Sequence, residues 1–167
     1  IGLAYPNMQI VNKGVNGVRT KHVLEAIKSI EETDFDIVLI HVGGNDVVKF
    51  ANLDESGAAA RELLDEAEKR GKHVFLLTGG SIGFAPIIPF PVTLAYNRRS
   101  ARLRELFMSA AQAHQRSTYI DLFREKKDDP FSKDPARYYA ADKFHPSSDG
   151  YEIWFSMIKQ AFVEQGL

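Results

Sequence analysis

Cysteine is absent from the 167 residues of this sequence, which excludes a disulfide framework and a zinc site built from thiolates. Charge of one sign is not in excess either, because 21 Lys and Arg residues face 22 Asp and Glu residues and leave a net charge of -1. Without a positive surplus to hold a phosphate backbone, nucleic acid is not expected as the main partner. The histidines show neither the H-x-H nor the H-E-x-x-H spacing of metal sites, so we predict no bound metal.

Long uncharged runs are also scarce, and the longest one covers residues 74–97. It is interrupted by six residues that break regular structure: Gly79, Gly80, Gly83, Pro86, Pro89 and Pro91. In lipid, these breakers would leave backbone groups without hydrogen-bond partners. We therefore predict a buried strand followed by a proline-rich loop, and no membrane span.

Short apolar runs alternate with longer amphipathic stretches along the chain. The apolar runs predict strands over residues 8–12, 37–42, 73–78 and 118–122. Apolar positions at helical spacing predict helices over residues 19–32, 53–70, 93–115 and 148–165. Trp154 falls on the apolar face of the last helix, where we expect a core residue. This alternation is typical of βαβ units, so we expect one α/β domain over residues 1–167, with a parallel sheet covered on both faces.

The first segment of interest, residues 12–17, leaves the first predicted strand and enters a helix with the sequence Asn-Lys-Gly-Val-Asn-Gly. Glycine permits positive φ and close approach of the backbone, so amide N–H groups here can face an anion. The alternative is an ordinary turn between a strand and a helix.

The second segment, residues 41–46, follows the next predicted strand with the sequence His-Val-Gly-Gly-Asn-Asp. Sites in parallel sheets lie at the carboxyl ends of the strands. Asn45 would present a neutral amide donor there, which suits an oxyanion that develops during acyl transfer. The alternative is that Asn45 and Asp46 cap the turn that follows.

The third segment, residues 142–146, precedes the last helix with the sequence Asp-Lys-Phe-His-Pro. A carboxylate three residues before a His can accept a hydrogen bond from the imidazole Nδ1. That bond fixes the tautomer and leaves Nε2 free as a base. The alternative is an Asp and a His that share an exposed loop without a catalytic role.

Taken together, the three segments resemble, in order and spacing, three of the four conserved blocks of the SGNH hydrolases, also called GDSL-type esterases. The resemblance covers essentially the whole chain and implies a three-layer α/β/α sandwich with a parallel, flavodoxin-like sheet. It implies hydrolysis of small-molecule carboxylic esters by a serine nucleophile through an acyl-enzyme, without a cofactor. It assigns His145 as the general base and Asp142 as the residue that orients it. Gly17 and Asn45 are then the donors of the oxyanion hole.

The Gly-Asp-Ser block that carries the nucleophile in that family does not occur in this sequence. We therefore expect the nucleophile, with the family's first strand and helix, to lie upstream of Ile1, and a sheet of about five strands once the missing one is restored. An alternative nucleophile is Ser81, because residues 79–83 fit the G-x-S-x-G pattern of α/β-hydrolases. That pattern requires a helix directly after the serine, whereas a loop with three prolines follows Ser81. A further alternative is a non-catalytic binding domain on the same fold.

Two more expectations concern the surroundings of these segments. The resemblance implies that the loop after Ser81 lines the substrate pocket with apolar side chains, namely Phe84, Ile87, Ile88 and Phe90. We interpret four basic residues of the following helix as a solvated face, namely Arg98, Arg99, Arg102 and Arg104.

Overall fold

The computed structural model describes residues 5–167, and helices and strands alternate along them. The strands are β1 (Phe35–His41), β2 (Gly71–Leu77) and β3 (Ser117–Ile120). The helices are α1 (Thr20–Lys28), α2 (Gly44–Val48), α3 (Leu53–Glu68), α4 (Val92–Gln112), α5 (Pro130–Lys133), α6 (Pro135–Tyr138) and α7 (Ser148–Glu164). A turn of 3-10 helix covers Ile82–Phe84. Within residues 5–167, the helices are all too short or too polar to cross a membrane.

The sheet is parallel, with β2 between β1 and β3. Phe35 lies opposite Gly71 and His41 lies opposite Leu77, so β1 and β2 pair over their whole length. A Cβ at Gly71 would lie 2.6 Å from Cγ2 of Val38, which explains a glycine at the first residue of β2. Because the strands run in one direction, their carboxyl ends meet at one edge of the sheet.

Helices cover both faces of this sheet and produce three layers. On one face, Ile40 and Leu76 belong to a buried cluster with residues of α1, α3 and α4. On the other face, Phe75 packs against Phe162 of α7, with ring centroids 4.7 Å apart. Burial of such side chains is the main favourable contribution to folding. The three-layer arrangement with a parallel sheet confirms the predicted fold class.

The predicted first strand is wrong. Residues 8–12 form no strand, and the side chains of Met8, Ile10 and Val11 are exposed. A strand requires a neighbour that pairs its N–H and C=O groups, and this segment lies in no ladder with β1, β2 or β3. In residues 5–167 the sheet therefore has three strands, and β1 is paired along one side only.

Candidate active site

A cavity of about 850 Å³ opens at the carboxyl end of the sheet. Gly17, Asn45 and His145, which come from three separate segments of the chain, all line it. Asp142 lies outside the lining and contacts the ring of His145 instead. The fold thus brings the three predicted segments to one cavity.

His145 and Asp142 belong to a tight loop between α6 and α7. Oδ1 of Asp142 accepts hydrogen bonds from the backbone N–H groups of Phe144 at 2.9 Å and of His145 at 3.0 Å. Oδ2 of the same carboxylate lies 2.6 Å from Nδ1 of His145. Lys143 adopts a φ of 58°, a left-handed conformation that costs about 1 kcal/mol in a residue with a Cβ. These hydrogen bonds hold the loop in that shape, and among residues 5–167 the other ring nitrogen, Nε2, has no hydrogen-bond partner.

The same loop is anchored at both of its ends. The N–H of Ala140 donates to the carbonyl of His145 at 2.8 Å, and Tyr139 pairs with Pro146 in an antiparallel bridge. The next residue, Ser147, caps α7, because its Oγ accepts from the N–H of Gly150 at 3.2 Å. The loop backbone that carries His145 is therefore anchored at the start of a long helix, although 64% of the His145 side chain is exposed.

The Asp142 carboxylate remains ionised over a wide pH range. The hydrogen bond from the His145 ring, followed by those from the N–H groups of His145 and Phe144, lowers the pKa of Asp142 to about 2. The ordinary value for an unfolded chain is about 3.9. These contacts therefore stabilise the fold above about pH 4 and cease to do so as the pH falls through 2.

Asn45 reaches the cavity because of the turn that follows β1. Gly43 has a φ of 108°, and a Cβ there would lie 2.8 Å from Cδ2 of Leu103, so both the conformation and the available space require glycine. The turn places Asn45 in α2, and Asn45 is one of the residues that line the cavity. Within the described part of the chain, the Asn45 amide has no hydrogen-bond partner, and it can donate to a ligand.

Gly17, from the turn before α1, also lines the cavity. It has a φ of 77°, and an added Cβ would meet nothing within 4 Å. Its carbonyl accepts a hydrogen bond from Nζ of Lys49 at 2.6 Å. This contact ties the turn to Lys49, the residue that follows α2.

The position of Gly17 relative to Asn45 depends on a buried carboxylate that sequence reasoning missed. Oδ2 of Asp46 accepts from both N and Oγ1 of Thr20, each at 3.0 Å, and Oδ1 accepts from Oγ of Ser56 at 2.7 Å. Asp46 is only 2% exposed. Capping by Asp46 is therefore the wrong interpretation, because the N-cap of α2 is Gly43 and the Asp46 side chain reaches back to α1 and α3.

We expect Asp46→Ala to lower the free energy of unfolding by about 3 kcal/mol or more, because it leaves the buried N–H and hydroxyl of Thr20 unpaired and removes the hydrogen bond from Ser56. For a chain of this size, that corresponds to a decrease in Tm of about 6 °C or more. Thermal unfolding followed by circular dichroism measures it. The matched control is Asp54→Ala, which removes a carboxylate from an exposed ion pair with Arg102 and should change stability by less than about 1 kcal/mol. Equal stability of the two variants would contradict the role given to Asp46.

Arg99 does not lie on the solvated helix face that the sequence predicted for it. Its guanidinium donates to the carbonyls of Asp46 at 3.0 Å, Val47 at 3.2 Å and Ala51 at 2.6 Å. It also lies over the ring of Phe50, 4.9 Å from the centroid. Arg99 therefore satisfies the carbonyls at the end of α2, the helix that carries Asn45.

The structure places Ser81 at the edge of the cavity, but in a hydrogen bond with another residue. Its Oγ donates to Oδ1 of Asn97 at 2.6 Å, and the residue is buried. Within residues 5–167, the His145 ring accepts no hydrogen bond from a hydroxyl. A 3-10 turn follows Ser81, whereas the G-x-S-x-G motif requires an α-helix at this point.

The loop after Ser81 lines the cavity, but the side chains that do so are not the ones predicted. Ser81, Ile82 and Ala85 contribute to the lining. The four apolar residues predicted for this purpose do not, namely Phe84, Ile87, Ile88 and Phe90. The prediction is wrong because the 3-10 turn redirects the chain, and Ile87 and Phe90 face solvent.

The cavity has an aromatic wall that the sequence did not indicate. Trp154 is its central residue, with ring centroids 5.6 Å from His41, 5.8 Å from Phe131 and 5.7 Å from Tyr151. Tyr139 completes this wall. Trp154 packs against the apolar cluster under α7, as predicted for a core residue, and it lines the cavity as well.

Two comparisons with known proteins agree with this architecture. The model of the GDSL-like Lipase/Acylhydrolase family matches residues 2–153. Axe2, an acetylxylan esterase from Geobacillus stearothermophilus, has 21% identity and a TM-score of 0.64 over 95% of this chain and 75% of its own. A catalytic mutant of Axe2 has 20% identity and a TM-score of 0.65 over the same shares. No curated protein sequence matches the chain at a significant level. The chain therefore belongs to the GDSL-like lipase/acylhydrolase family, a family of ester hydrolases.

Proposed function

We propose that this protein is a serine-type hydrolase of carboxylic esters that acts through an acyl-enzyme, with His145 as general base and Asp142 as the residue that orients it. The observation that carries the proposal is the contact of 2.6 Å between Nδ1 of His145 and Oδ2 of Asp142, at the edge of a cavity. An ionised carboxylate on Nδ1 fixes the tautomer with Nε2 unprotonated. It also stabilises the imidazolium that forms when Nε2 accepts a proton.

The oxyanion hole in this proposal consists of the Gly17 N–H and the Asn45 amide. Gly17 and Asn45 line the same cavity as His145, and these two donor groups have no hydrogen-bond partner among the described residues. Preorganised neutral donors of this kind stabilise the charge that develops on a carbonyl oxygen during acyl transfer. Asp46 and Arg99 hold the two segments in place through the contacts described above.

For the nucleophile we propose a serine upstream of Ile1. The hydrogen bond of Ser81 to Asn97 and the 3-10 turn after it favour this assignment over Ser81. In the first step, the serine Oγ forms a bond to the ester carbonyl carbon, and its proton passes to Nε2 of His145. The tetrahedral intermediate then breaks its bond to the alcohol, which takes that proton. Water adds to the acyl-enzyme by the same route and releases the carboxylic acid and the free serine.

A small ester is the substrate that this cavity suits. Its volume of about 850 Å³ lies within the range of pockets that hold small molecules. Axe2 is an acetylxylan esterase, and we propose acetyl esters of sugars as the first natural class to test beside simple p-nitrophenyl esters. The aromatic wall around Trp154 offers an apolar surface for the part of the substrate that does not react.

A fluorophosphonate probe tests the proposal directly in the complete natural protein. We expect one labelled serine upstream of Ile1, and loss of labelling when His145 is replaced by alanine, because the serine then has no base. Ser81→Ala is the matched control and should be labelled like the wild type. Labelling at Ser81 would overturn the assignment of the nucleophile. A complete protein that neither reacts with the probe nor hydrolyses esters would be a binding domain.

A further inference from the structure

The aromatic wall of the cavity carries polar groups that the proposed mechanism does not use. Trp154 contributes an indole N–H, and Tyr139 and Tyr151 each contribute a hydroxyl. Within residues 5–167, none of these three groups has a hydrogen-bond partner in the protein. Polar groups that are partly buried usually find a partner, so these three are available to a ligand.

The hydroxyl of Tyr139 reaches open space, although the residue is half-buried. Among the described residues that are buried or half-buried, every buried polar side-chain atom has a hydrogen-bond partner. The Tyr139 oxygen has no partner there, so it is accessible, and Tyr139 lines the cavity. The same argument applies to Nε1 of Trp154. Partial burial raises the pKa of the Tyr139 hydroxyl, which therefore remains a hydrogen-bond donor in alkaline solution as well.

The three polar groups belong to one continuous surface. The Phe131 ring lies 5.3 Å from the Tyr139 ring and 5.8 Å from the Trp154 ring. The Trp154 ring in turn lies 5.7 Å from that of Tyr151. Gly150 allows α7 to approach this closely, because a Cβ there would lie 2.8 Å from Cε1 of Phe131. Hydrogen-bonding groups and aromatic rings therefore alternate along a single wall.

The charged side chains of the cavity do not favour an ionic ligand. Of the lining residues within 5–167, only Arg124 and Asp129 belong to the acidic and basic types, and their charges are opposite. The Asp129 carboxylate accepts from N and Oγ of Ser132, at 2.9 and 2.7 Å. The Arg124 guanidinium donates to the carbonyls of Asp121 at 2.9 Å and Phe123 at 2.6 Å. A neutral ligand is therefore the better match to this lining.

The aromatic wall begins next to the proposed general base. Tyr139 pairs with Pro146 in an antiparallel bridge, and the N–H of Ala140 donates to the carbonyl of His145 at 2.8 Å. In the proposed mechanism, the leaving alcohol takes a proton from Nε2 of His145, so its oxygen must come within reach of that atom. We therefore expect the alcohol part of the ester on the side of the cavity that Tyr139 borders.

We propose that the aromatic wall binds the alcohol part of the ester as a neutral sugar, and that the Tyr139 hydroxyl determines this specificity. A sugar ring has C–H faces that pack on aromatic rings, and hydroxyls at its edge that pair with the polar groups of the wall. An alkyl alcohol would leave those groups without partners in the complex, which disfavours it. The inference rests on the proposed function, because it concerns one part of the ester substrate in the same site.

Steady-state kinetics with two acetate esters test this inference in the complete protein. One substrate is a methyl β-D-xyloside that carries one acetyl group, and the other is p-nitrophenyl acetate, whose alcohol part has no further hydroxyl. Tyr139→Phe should lower kcat/KM for the sugar ester about fivefold to tenfold more than for the p-nitrophenyl ester, because one hydrogen bond to the sugar is lost. The difference should lie mainly in KM, since the hydroxyl contacts a part of the substrate that does not react.

The matched control is Tyr138→Phe, the same change at the adjacent residue, which does not line the cavity. Its ratio of kcat/KM for the two esters should equal that of the wild type. Both variants should keep the wild-type Tm, because Tyr138 and Tyr139 form no side-chain hydrogen bond within residues 5–167. An unchanged ratio in Tyr139→Phe would overturn the inference and leave the proposed ester hydrolysis intact.

A binding measurement decides the matter without turnover. Saturation-transfer NMR should show that methyl β-D-xyloside binds to the complete protein, with a Kd about fivefold higher in Tyr139→Phe. If the protein hydrolyses neither ester but its sugar binding depends on Tyr139, the sugar site is retained and the proposed function is wrong. Absence of sugar binding to the wild type, or an equal Kd in Tyr139→Phe, would contradict the inference whatever the activity.

Discussion

His145→Ala should lower kcat for a short p-nitrophenyl ester by roughly a thousandfold or more in the complete protein. Without the imidazole, the proton of the nucleophilic hydroxyl has no acceptor in the first step, and the leaving alcohol has no donor. The KM should change much less, because the base acts mainly in the transition state and not in binding of the ground state. Initial rates over a range of substrate concentrations measure both constants.

The control for this substitution is His73→Ala. His73 lies near the start of β2, at the end of the sheet opposite the cavity. His73→Ala is the same change of side chain as His145→Ala, and this variant should retain the wild-type kcat. If His145→Ala also retained it, His145 would not be the general base.

Asn45→Ala should lower kcat by on the order of a hundredfold, with a smaller effect on KM. The Asn45 amide has no partner among the described residues, so it can bond the oxyanion without first breaking another hydrogen bond. That bond is strongest when the oxygen carries a full negative charge, and its loss therefore appears in kcat. The same steady-state measurement reports it.

Asn52→Ala provides the matched control for Asn45→Ala. Asn52 caps α3, where its Oδ1 accepts from the N–H groups of Asp54 at 3.1 Å and Glu55 at 3.4 Å. Its loss should lower stability by about 1 kcal/mol and leave kcat unchanged. An increase in KM alone for Asn45→Ala would place its amide in ground-state binding instead of the oxyanion hole.

Most of the fold was predictable because its signals are local. β2 lies in an apolar run, and α7 shows apolar residues at helical spacing, so both were found with small errors at their ends. Residues 8–12 show why an apolar run is insufficient. Strand formation depends on a neighbouring strand, and no pattern within five residues reports whether that neighbour exists.

The candidate site shows the same division between local and distant contacts. Asp142 and His145 are three residues apart, so their hydrogen bond could be inferred from the spacing. The buried carboxylate of Asp46 bonds Thr20, which is 26 residues away. The aromatic wall combines β1, α5 and α7. Contacts of this kind can be inferred only when the packing of the helices is known.

The loop that carries His145 has a consequence for changes in chain length. Surface loops usually tolerate insertions and deletions. Here the Asp142 carboxylate bonds the second and third residues after it, and Ala140 bonds the carbonyl of His145. One residue inserted between Asp142 and His145 would break these contacts and move the imidazole, even though both side chains were retained. Selection should therefore preserve the number of residues in this loop as strictly as the identities of Asp142 and His145.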